Sequence, residues 1–171
     1  MAPVLQMPPI HIGAKAFPNV FVFPPARIED PGKNVLICAN LFNFKVDKDA
    51  TLRDHDLWLA LVAAPLLRTH PKAGVRLIGL ASRTGAPGHN LKLSVRRARN
   101  ASISLSLFLA GDNLIHPPAP PPRIVFGGQG EHFAEQLHVP DGTEGPQWRS
   151  VLVTILADRA KNTPIRLKLP T

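Results

Sequence analysis

The sequence predicts a layered α/β or α+β domain, in which a mixed sheet carries helices on one face and a proline-rich arm precedes it. Segments with strand and helix patterns alternate along the 171 residues, an order typical of such layered domains. Hydrophobic residues make up 44% of the chain and charged residues 19%, so a sizeable core can form and wholesale disorder is excluded. The 19 prolines are about twice the ordinary share of ~5%. They cluster, which indicates extended connectors around a smaller folded body.

The first 33 residues are predicted to form the arm. They contain seven prolines and no helical period, with one strand-like run at residues 19–23 that ends at two prolines. An exposed strand can be added to the edge of a neighbour's sheet. If the chain is a subunit of an assembly, residues 1–33 are therefore the expected contact with a protein partner.

The segment after the arm is predicted to contain a buried strand and then a helix. Residues 34–44 are mostly apolar and favour a strand, and residues 47–51 supply turn and capping side chains. The helix should begin near Thr51. Pro65 is expected to kink or end it, because an interior proline removes a backbone hydrogen bond. Spacings of three and four predict its buried face to be Leu52, His55, Leu59, Val62 and Leu66.

A second strand and a second helix are predicted next. Residues 75–80 read as a buried strand, and residues 82–88 form a loop with two glycines and a proline. Within 90–109, residues 102–107 alternate like a strand. The 20-residue length and Asn90 as a cap favour a helix instead, with one stripe formed by Leu93, Arg97, Ala101, Leu105 and Phe108.

The rest of the chain is predicted to contain, in order, a polyproline II connector at 116–122, a strand at 123–126, a polar loop or short helix at 131–147 and a strand at 150–156. A basic tail, 158–171, follows with strand character at 164–169. The folded domain is accordingly expected at residues 34–157, between the arm and the tail.

Several classes of function are disfavoured by composition. Cys38 is the only cysteine, so an internal disulfide and a thiolate metal site are excluded, and its apolar neighbours predict a small buried hydrophobe. The formal charge of +8 predicts attraction to polyanions. Nucleic acid is not favoured, because the chain has no tyrosine and only 6% aromatic residues to stack on bases. The longest apolar run, residues 57–67, is too short to cross a bilayer.

No enzyme, metal or cofactor is expected either. The seven histidines are scattered, and neither an HExxH nor a G-x-S-x-G arrangement occurs. The tight cluster of Asp54, His55 and Asp56 stands at the start of the first helix. There it reads as capping chemistry and favourable charge at the helix dipole.

Arg97 is the side chain that the helical pattern singles out. At 100° per residue it lies within about 40° of Leu93 and Ala101 on the apolar stripe, whereas Arg96 and Arg99 point away from it. A guanidinium on an apolar face needs an anionic partner or ligand. An arginine that snorkels or pairs with an internal carboxylate is the alternative.

The region around Arg97 resembles the OmpA-like peptidoglycan-binding domain. Residues 79–85, Asn90 and residues 93–98 resemble that family's signature, G-x-T-D-x-x-G…N-x-x-L-S-x-x-R-A, without a gap. The resemblance extends over roughly residues 35–157. Its further matched blocks are 41–44, 50–52, 128–131 and 148–151.

The resemblance implies a binding site with one departure from the family pattern. In the family, a loop aspartate and the helix arginine hold the ammonium and the carboxylate of diaminopimelate in the peptidoglycan stem peptide. The arginine corresponds to Arg97, whereas the aspartate is Ser82 and Arg83 beside it adds positive charge. A purely anionic group is therefore the expected ligand, with Gly85 and Asn90 completing the site. Placing an aspartate at position 82 is expected to restore affinity for diaminopimelate.

Two functions follow as hypotheses. The first is noncatalytic binding of the peptidoglycan stem peptide through Arg97. The alternative is a degenerate structural or adaptor subunit of a cell-envelope, secretion or injection assembly that no longer binds peptidoglycan. The N-terminus has no basic residue before Lys15 and no apolar core, so it is not a secretory signal. The expected location is the periplasm or cell envelope if a signal was removed, and otherwise the cytoplasm with signal-independent export or assembly.

Overall fold

The centre of the molecule is a five-stranded mixed sheet. The computed structural model describes residues 10–12, 15–23, 28–29, 34–112, 114, 121–160 and 166–167. The strands are β1 (Ile10–Ile12), β2 (Lys15–Phe17), β3 (Val20–Val22), β4 (Ile28–Glu29), β5 (Val35–Leu41), β6 (Gly74–Leu80), β7 (Arg123–Gly128), β8 (Ser150–Leu156) and β9 (Arg166–Leu167). In the central sheet the order is β3-β5-β8-β6-β7. The β6–β7 pair is parallel and the other three pairs are antiparallel.

The helices lie on one face of this sheet, as the sequence predicts. They are α1 (Arg53–Trp58), α2 (Ala64–Thr69), α3 (Pro87–Asp112) and α4 (His132–Gln136). Alternate residues of β8, Val151, Val153 and Ile155, are fully buried in the core, because successive side chains of a strand point to opposite faces. The opposing helical residues Ala101 and Leu105 complete that core. None of the helices in the described ranges is long and apolar enough to span a membrane.

The first helical segment has an irregularity that moves its buried face. A π-helical turn over Leu59–Ala63 joins α1 to α2. The predicted Val62 and Leu66 are only half-buried, whereas Ala63 and Leu67 are buried in the core. The extra residue in a π-helical turn shifts the following face by about one position. The break expected at Pro65 therefore takes the form of a π-helical turn, with the proline in the first turn of α2.

Part of the arm belongs to the folded domain, although the sequence predicts the arm to be separate from it. β3 pairs antiparallel with β5 as an edge strand of the central sheet, and Phe17 and Val20 are buried in the core. The strand-like part of the arm thus belongs to the folded domain, because the free edge of β5 accepts it. Further along, β4 pairs with β9, so the strand character of the tail is used within the chain. The predicted connector at 116–122 lies largely outside the described residues.

The second helix is confirmed and is longer than predicted. α3 has 26 residues and continues through residues 102–107, where the sequence also alternates like a strand. Leu93, Arg97, Ala101 and Leu105 are buried, as the helical stripe requires. The strands predicted at 75–80 and 123–126 appear as β6 and β7, and the strand at 150–156 has the predicted bounds. Cys38 is buried, and burial raises the pKa of its thiol to about 11.

His55 has a structural role at the start of α1. Its side chain is fully buried. The backbone N–H of Leu52 donates to its Nδ1 at 3.2 Å, so its Nε2 carries the proton and donates to the carbonyl oxygen of Phe42 at 2.8 Å. Burial lowers the pKa of His55 below its ordinary value, against the raising effects of Phe42 and Asp54.

The stability of the protein is expected to fall as the pH drops below about 6.5, the ordinary histidine pKa. Below that value the imidazole of residue 55 binds a proton in the unfolded state, whereas in the folded state it stays neutral because its pKa is lower. The free energy of unfolding therefore decreases by at most about 1.4 kcal/mol per pH unit. Urea unfolding between pH 7.5 and 5 measures this slope. The His55→Gln variant should be less stable than the wild type, and its free energy of unfolding should depend less on pH. The His132→Gln variant, changed at an exposed position, should retain the wild-type dependence on pH. A wild-type slope retained in His55→Gln would contradict this assignment.

Candidate functional site

A cavity of about 320 Å³ lies where the loop after β6 meets the start of α3. We call it the loop cavity. Four of the five predicted site residues line it, and the fifth, Arg83, does not. Its lining comprises Val46, Asp47, Ala81, Ser82, Thr84, Gly85, His89, Asn90, Leu93, Arg97, Glu144 and Arg149.

Three backbone carbonyls hold the side chain of Arg97 in place. It is fully buried. Its Nε donates to the oxygen of Lys48 at 2.9 Å, and its two terminal nitrogens donate to the oxygens of Leu80 at 3.1 Å and Lys45 at 3.3 Å. Its guanidinium carbon lies 5.5 Å from the centre of the Phe44 ring. An arginine has five N–H groups, so these three bonds leave two for a ligand.

Arg97 donates to backbone carbonyls, and no internal carboxylate of the described residues is hydrogen-bonded to it. Its hydrogen bonds join α3 to the loop after β5 and to the end of β6, so the residue has a structural function before any ligand is considered. Burial and the nearby Arg149 lower the pKa of Arg97 to about 10, with Glu144, Asp49 and Asp47 opposing that shift. The guanidinium therefore remains charged at neutral pH.

Asn90 holds the loop rather than capping the helix. α3 begins three residues earlier, at Pro87, a residue suited to a first helical position. The Asn90 side-chain Nδ2 lies 2.9 Å from the oxygen of Thr84, 3.2 Å from that of Ser82 and 2.6 Å from the buried Glu131 carboxylate. This buried amide therefore fixes the loop against α3 and the turn before α4.

Glu144 brings a carboxylate next to Ser82, which stands at the position of the family's loop aspartate. Its Oε2 accepts hydrogen bonds from Ser82 Oγ at 3.1 Å and from Thr84 Oγ1 at 3.0 Å. Its Oε1 accepts from Arg149. Burial raises the pKa of Glu144, but hydrogen bonds from Arg149, Thr84 and Ser82 outweigh it, so the pKa lies below its ordinary value. A negative charge thus stands directly behind Ser82.

Arg149 is the second guanidinium of the loop cavity. Its Nε donates to the oxygen of Phe44 at 2.6 Å, and its side chain pairs with Glu144. The side chain is 12% exposed, which is more than Arg97 shows. Of the two guanidiniums, Arg149 is therefore the more accessible to a ligand.

The other arginines near the site point elsewhere. Arg83 donates from a terminal nitrogen to the oxygen of Val139 at 2.7 Å and lies near the carboxylates of Glu135 and Asp141. It ties the loop to the segment after α4. Arg96 is exposed and pairs with Asp49 at 2.9 Å, which agrees with its predicted place on the solvent side of the helix.

The polar site residues that the sequence reasoning missed are Thr84, Glu144 and Arg149, together with Asp47 and His89, whose side chains lie 2.6 Å apart. Thr84 stands two residues after Ser82 and shares its orientation toward Glu144. Arg149 lies in a block that resembles the family, residues 148–151, and that match was the available signal. Glu144 lies in the polar segment 131–147, whose sequence has no period or motif, so nothing in it pointed to the cavity.

The arrangement suits the binding of a group that carries both charges. Two guanidiniums attract a carboxylate. The Ser82 and Thr84 hydroxyls can donate to Glu144 and still accept hydrogen bonds from an ammonium through their oxygen lone pairs. Hydrogen bonds to a carboxylate also polarise these hydroxyls and strengthen them as acceptors. Within the described ranges, no group of three or more His, Cys, Asp or Glu side chains is placed to hold a metal ion.

Comparison with known proteins identifies the fold. No protein-family model and no curated protein matches the sequence, but solved structures do. The OmpA-like domain of FopA1 from Francisella tularensis matches with a TM-score of 0.54 and 15% identity, over 86% of this chain and 82% of that one. The cell wall anchor of the T6SS from Pseudomonas aeruginosa matches with a TM-score of 0.52 and 17% identity, over 78% and 90%.

A third structure, the peptidoglycan-associated lipoprotein from Burkholderia pseudomallei, matches with a TM-score of 0.50 and 19% identity, over 67% of this chain and 87% of that one. The family that the motifs around Arg97 resemble is thus the one whose architecture the chain adopts. The chain has the OmpA-like fold.

Proposed function

We propose that the chain is a noncatalytic binding module of the bacterial cell envelope, and that the loop cavity holds the charged end of a peptidoglycan stem peptide. One observation carries the proposal: Arg97, Arg149 and the Glu144 carboxylate line the same cavity. Such a set matches the carboxylate and ammonium borne by one carbon of an amino acid such as diaminopimelate. Proteins with the same fold include one described as peptidoglycan-associated and another as a cell wall anchor.

Glu144 changes the ligand that we expect. From Ser82 alone, the sequence favours a purely anionic group, because the family's loop carboxylate is missing. In the folded chain, Glu144 Oε2 lies 3.1 Å from Ser82 Oγ. Glu144 therefore supplies a negative charge next to Ser82 from a different part of the chain. An aspartate at position 82 would then stand beside Glu144, and two like charges at that distance repel each other. Ser82→Asp alone should therefore weaken binding rather than restore it.

Moving the carboxylate between the two positions tests the proposal. Isothermal titration with free diaminopimelate should show that Glu144→Gln lowers affinity by roughly 10- to 150-fold, the value of one charge-assisted hydrogen bond. The double variant Ser82→Asp/Glu144→Gln should recover most of that loss, because it returns one carboxylate to the same place. Each variant is checked for folding by its thermal unfolding curve.

The matched control is Glu135→Gln, which removes a carboxylate near Arg83 but outside the loop cavity. It should leave the affinity within about 2-fold, since a surface pair contributes little. If Glu144→Gln binds diaminopimelate like the wild type, or Glu135→Gln loses as much as Glu144→Gln, then the loop cavity is not the binding site.

The adaptor hypothesis is supported by one observation. The three backbone acceptors of Arg97 give this arginine a structural reason to be present even without a ligand. In that case the module would have kept the OmpA-like fold as a building block of an envelope assembly. Sedimentation with purified sacculi distinguishes the two functions, because an adaptor stays in the supernatant whereas a stem-peptide binder sediments.

A further inference from the structure

Arg83 lies outside the loop cavity, although the residues on both sides of it in the chain line that cavity. Ser82 and Thr84 line the cavity, and both of their hydroxyls donate to the Glu144 carboxylate. The Arg83 side chain points to the other side of the loop and is only 20% exposed. It is therefore not placed to contact a ligand in the cavity, and its contacts lie within the protein.

The side chain of Arg83 holds the segment of chain that leads to Glu144. One terminal nitrogen donates to the oxygen of Val139 at 2.7 Å. The other terminal nitrogen lies 3.6 Å from the Glu135 carboxylate and 3.8 Å from that of Asp141. These two carboxylates are 42% and 84% exposed, and exposed ion pairs contribute little. The hydrogen bond to Val139 is therefore the main contact of the side chain.

The backbone of Arg83 contacts the same segment. Its N–H donates to the oxygen of Thr143 at 3.2 Å, and its oxygen accepts from the N–H of Gly142 at 2.8 Å. Gly142 has a φ of +73°, in the left-handed region that glycine adopts without a steric penalty, so the segment turns at this point. The part of the segment that Arg83 holds thus ends one residue before Glu144.

From these contacts we infer that Arg83 is a positioning residue of the loop cavity: it fixes residues 139–143 against the loop after β6 and thereby brings the Glu144 carboxylate to the cavity. Residues 137–149, all of which the structure describes, contain no helix or strand. The position of Glu144 therefore depends on contacts such as those of Arg83 rather than on a regular element. The effect on ligand binding rests on the proposed function, whereas the positioning is a property of the ligand-free protein.

The side chain of Arg83 shares this task with other contacts. Arg149 also donates to Glu144, and the two backbone hydrogen bonds of residue 83 remain when its side chain is replaced. Removal of the Arg83 side chain should therefore displace the Glu144 carboxylate partly rather than release it. The expected loss in affinity for diaminopimelate is about 3- to 10-fold, which is less than the loss expected when the carboxylate itself is removed.

The first measurement needs no ligand. An NMR titration of the side-chain carboxylates between about pH 3 and 7 gives the pKa of Glu144. Burial raises this pKa, but hydrogen bonds from Arg149, Thr84 and Ser82 lower it below its ordinary value. In the Arg83→Gln variant the hydroxyl contacts should weaken, so the pKa of Glu144 should rise toward the ordinary glutamate value of about 4.3.

Arg83→Lys is the conservative variant. Lysine keeps a charged donor for the Val139 oxygen, and it lacks the Nε that is buried in Arg83 without a hydrogen-bond partner among the described residues. The pKa of Glu144 should therefore stay close to that of the wild type. The matched control is Arg96→Gln, which removes an exposed arginine that pairs with Asp49 and does not line the cavity. It should leave the pKa of Glu144 unchanged.

Titration with diaminopimelate is the second measurement. Arg83→Gln should lower the affinity about 3- to 10-fold, whereas Arg83→Lys and Arg96→Gln should stay within about 2-fold of the wild type. If the wild type binds no diaminopimelate but the pKa of Glu144 responds to Arg83→Gln, the proposed function fails and the positioning role stands. A Glu144 pKa that is unchanged in Arg83→Gln, or that shifts equally in Arg96→Gln, would overturn the inference.

Discussion

Replacement of Arg97 by methionine is expected to destabilise the protein by roughly 3 to 5 kcal/mol. The change removes three hydrogen bonds to backbone carbonyls. A hydrogen bond to a charged group contributes about 1.5 to 3 kcal/mol, and a buried acceptor left without a partner adds a penalty of its own. Relief of the guanidinium's desolvation offsets part of this loss. Since small domains have a total stability of about 5 to 15 kcal/mol, the variant should be close to unfolding at ambient temperature.

This expectation reverses what the sequence suggests, since an arginine held only for an external ligand would not be needed for folding. Urea unfolding of Arg97→Met beside Arg96→Met measures the difference. Arg96 is exposed and pairs on the surface with Asp49, so its replacement should cost within about 0.5 kcal/mol. If the two variants have equal midpoints, the carbonyl contacts of Arg97 do not stabilise the fold.

Replacement of Gly79 by alanine should destabilise the protein by about 3 kcal/mol or prevent folding. Gly79 lies on β6 directly beneath α3. An added Cβ would overlap the Ser94 carbonyl oxygen and lie 2.6 Å from the Ser94 carbonyl carbon. These are backbone atoms of a helix, so they cannot rotate away as a side-chain tip would. The strand and the helix would have to separate, which costs more than the usual 1 to 3 kcal/mol of overpacking.

Gly88→Ala is the control for Gly79→Ala. This glycine lies in the first turn of α3, and an added Cβ there would meet no atom within 4 Å. Alanine is a better helix former than glycine by up to about 1 kcal/mol, so the control should be as stable as the wild type or slightly more stable. Thermal unfolding of both variants gives the comparison. A Gly79→Ala protein that melts within a few degrees of the wild type would show that α3 does not pack this tightly on β6.

Much of the fold follows from local patterns. The strand at 150–156 and the helical stripe of α3 were predictable, because period 2 and period 3.6 are properties of short stretches of chain. The π-helical turn was not, since Leu59–Ala63 has the composition of an ordinary helix. Residues 20–22 also read correctly as a strand, but their pairing with β5 is a choice of partner that local pattern does not encode.

The candidate site divides in the same way. The motif at 79–85 and the spacing to Arg97 identify the end of β6 and the start of α3, so Ser82, Gly85, Asn90 and Arg97 could be named from the sequence. The sequence could not show that Arg83 lies outside the cavity. Its side chain points toward Val139 because of the path that the loop takes. The Glu144 carboxylate lies 62 residues from Ser82 along the chain, in a segment without periodicity.

The sequence by itself determined the strands, the long helix and the arginine that this helix turns toward the sheet. It could do so because residues three and four apart on a helix, or two apart on a strand, share a face whatever surrounds them. Only the tertiary structure decided that Arg97 is held by carbonyls 17 to 52 residues away and that the Glu144 carboxylate accepts hydrogen bonds from Ser82 and Thr84. Each of these contacts depends on where loops and strand neighbours bring distant segments, and that placement is settled by packing of the whole core rather than by any local period.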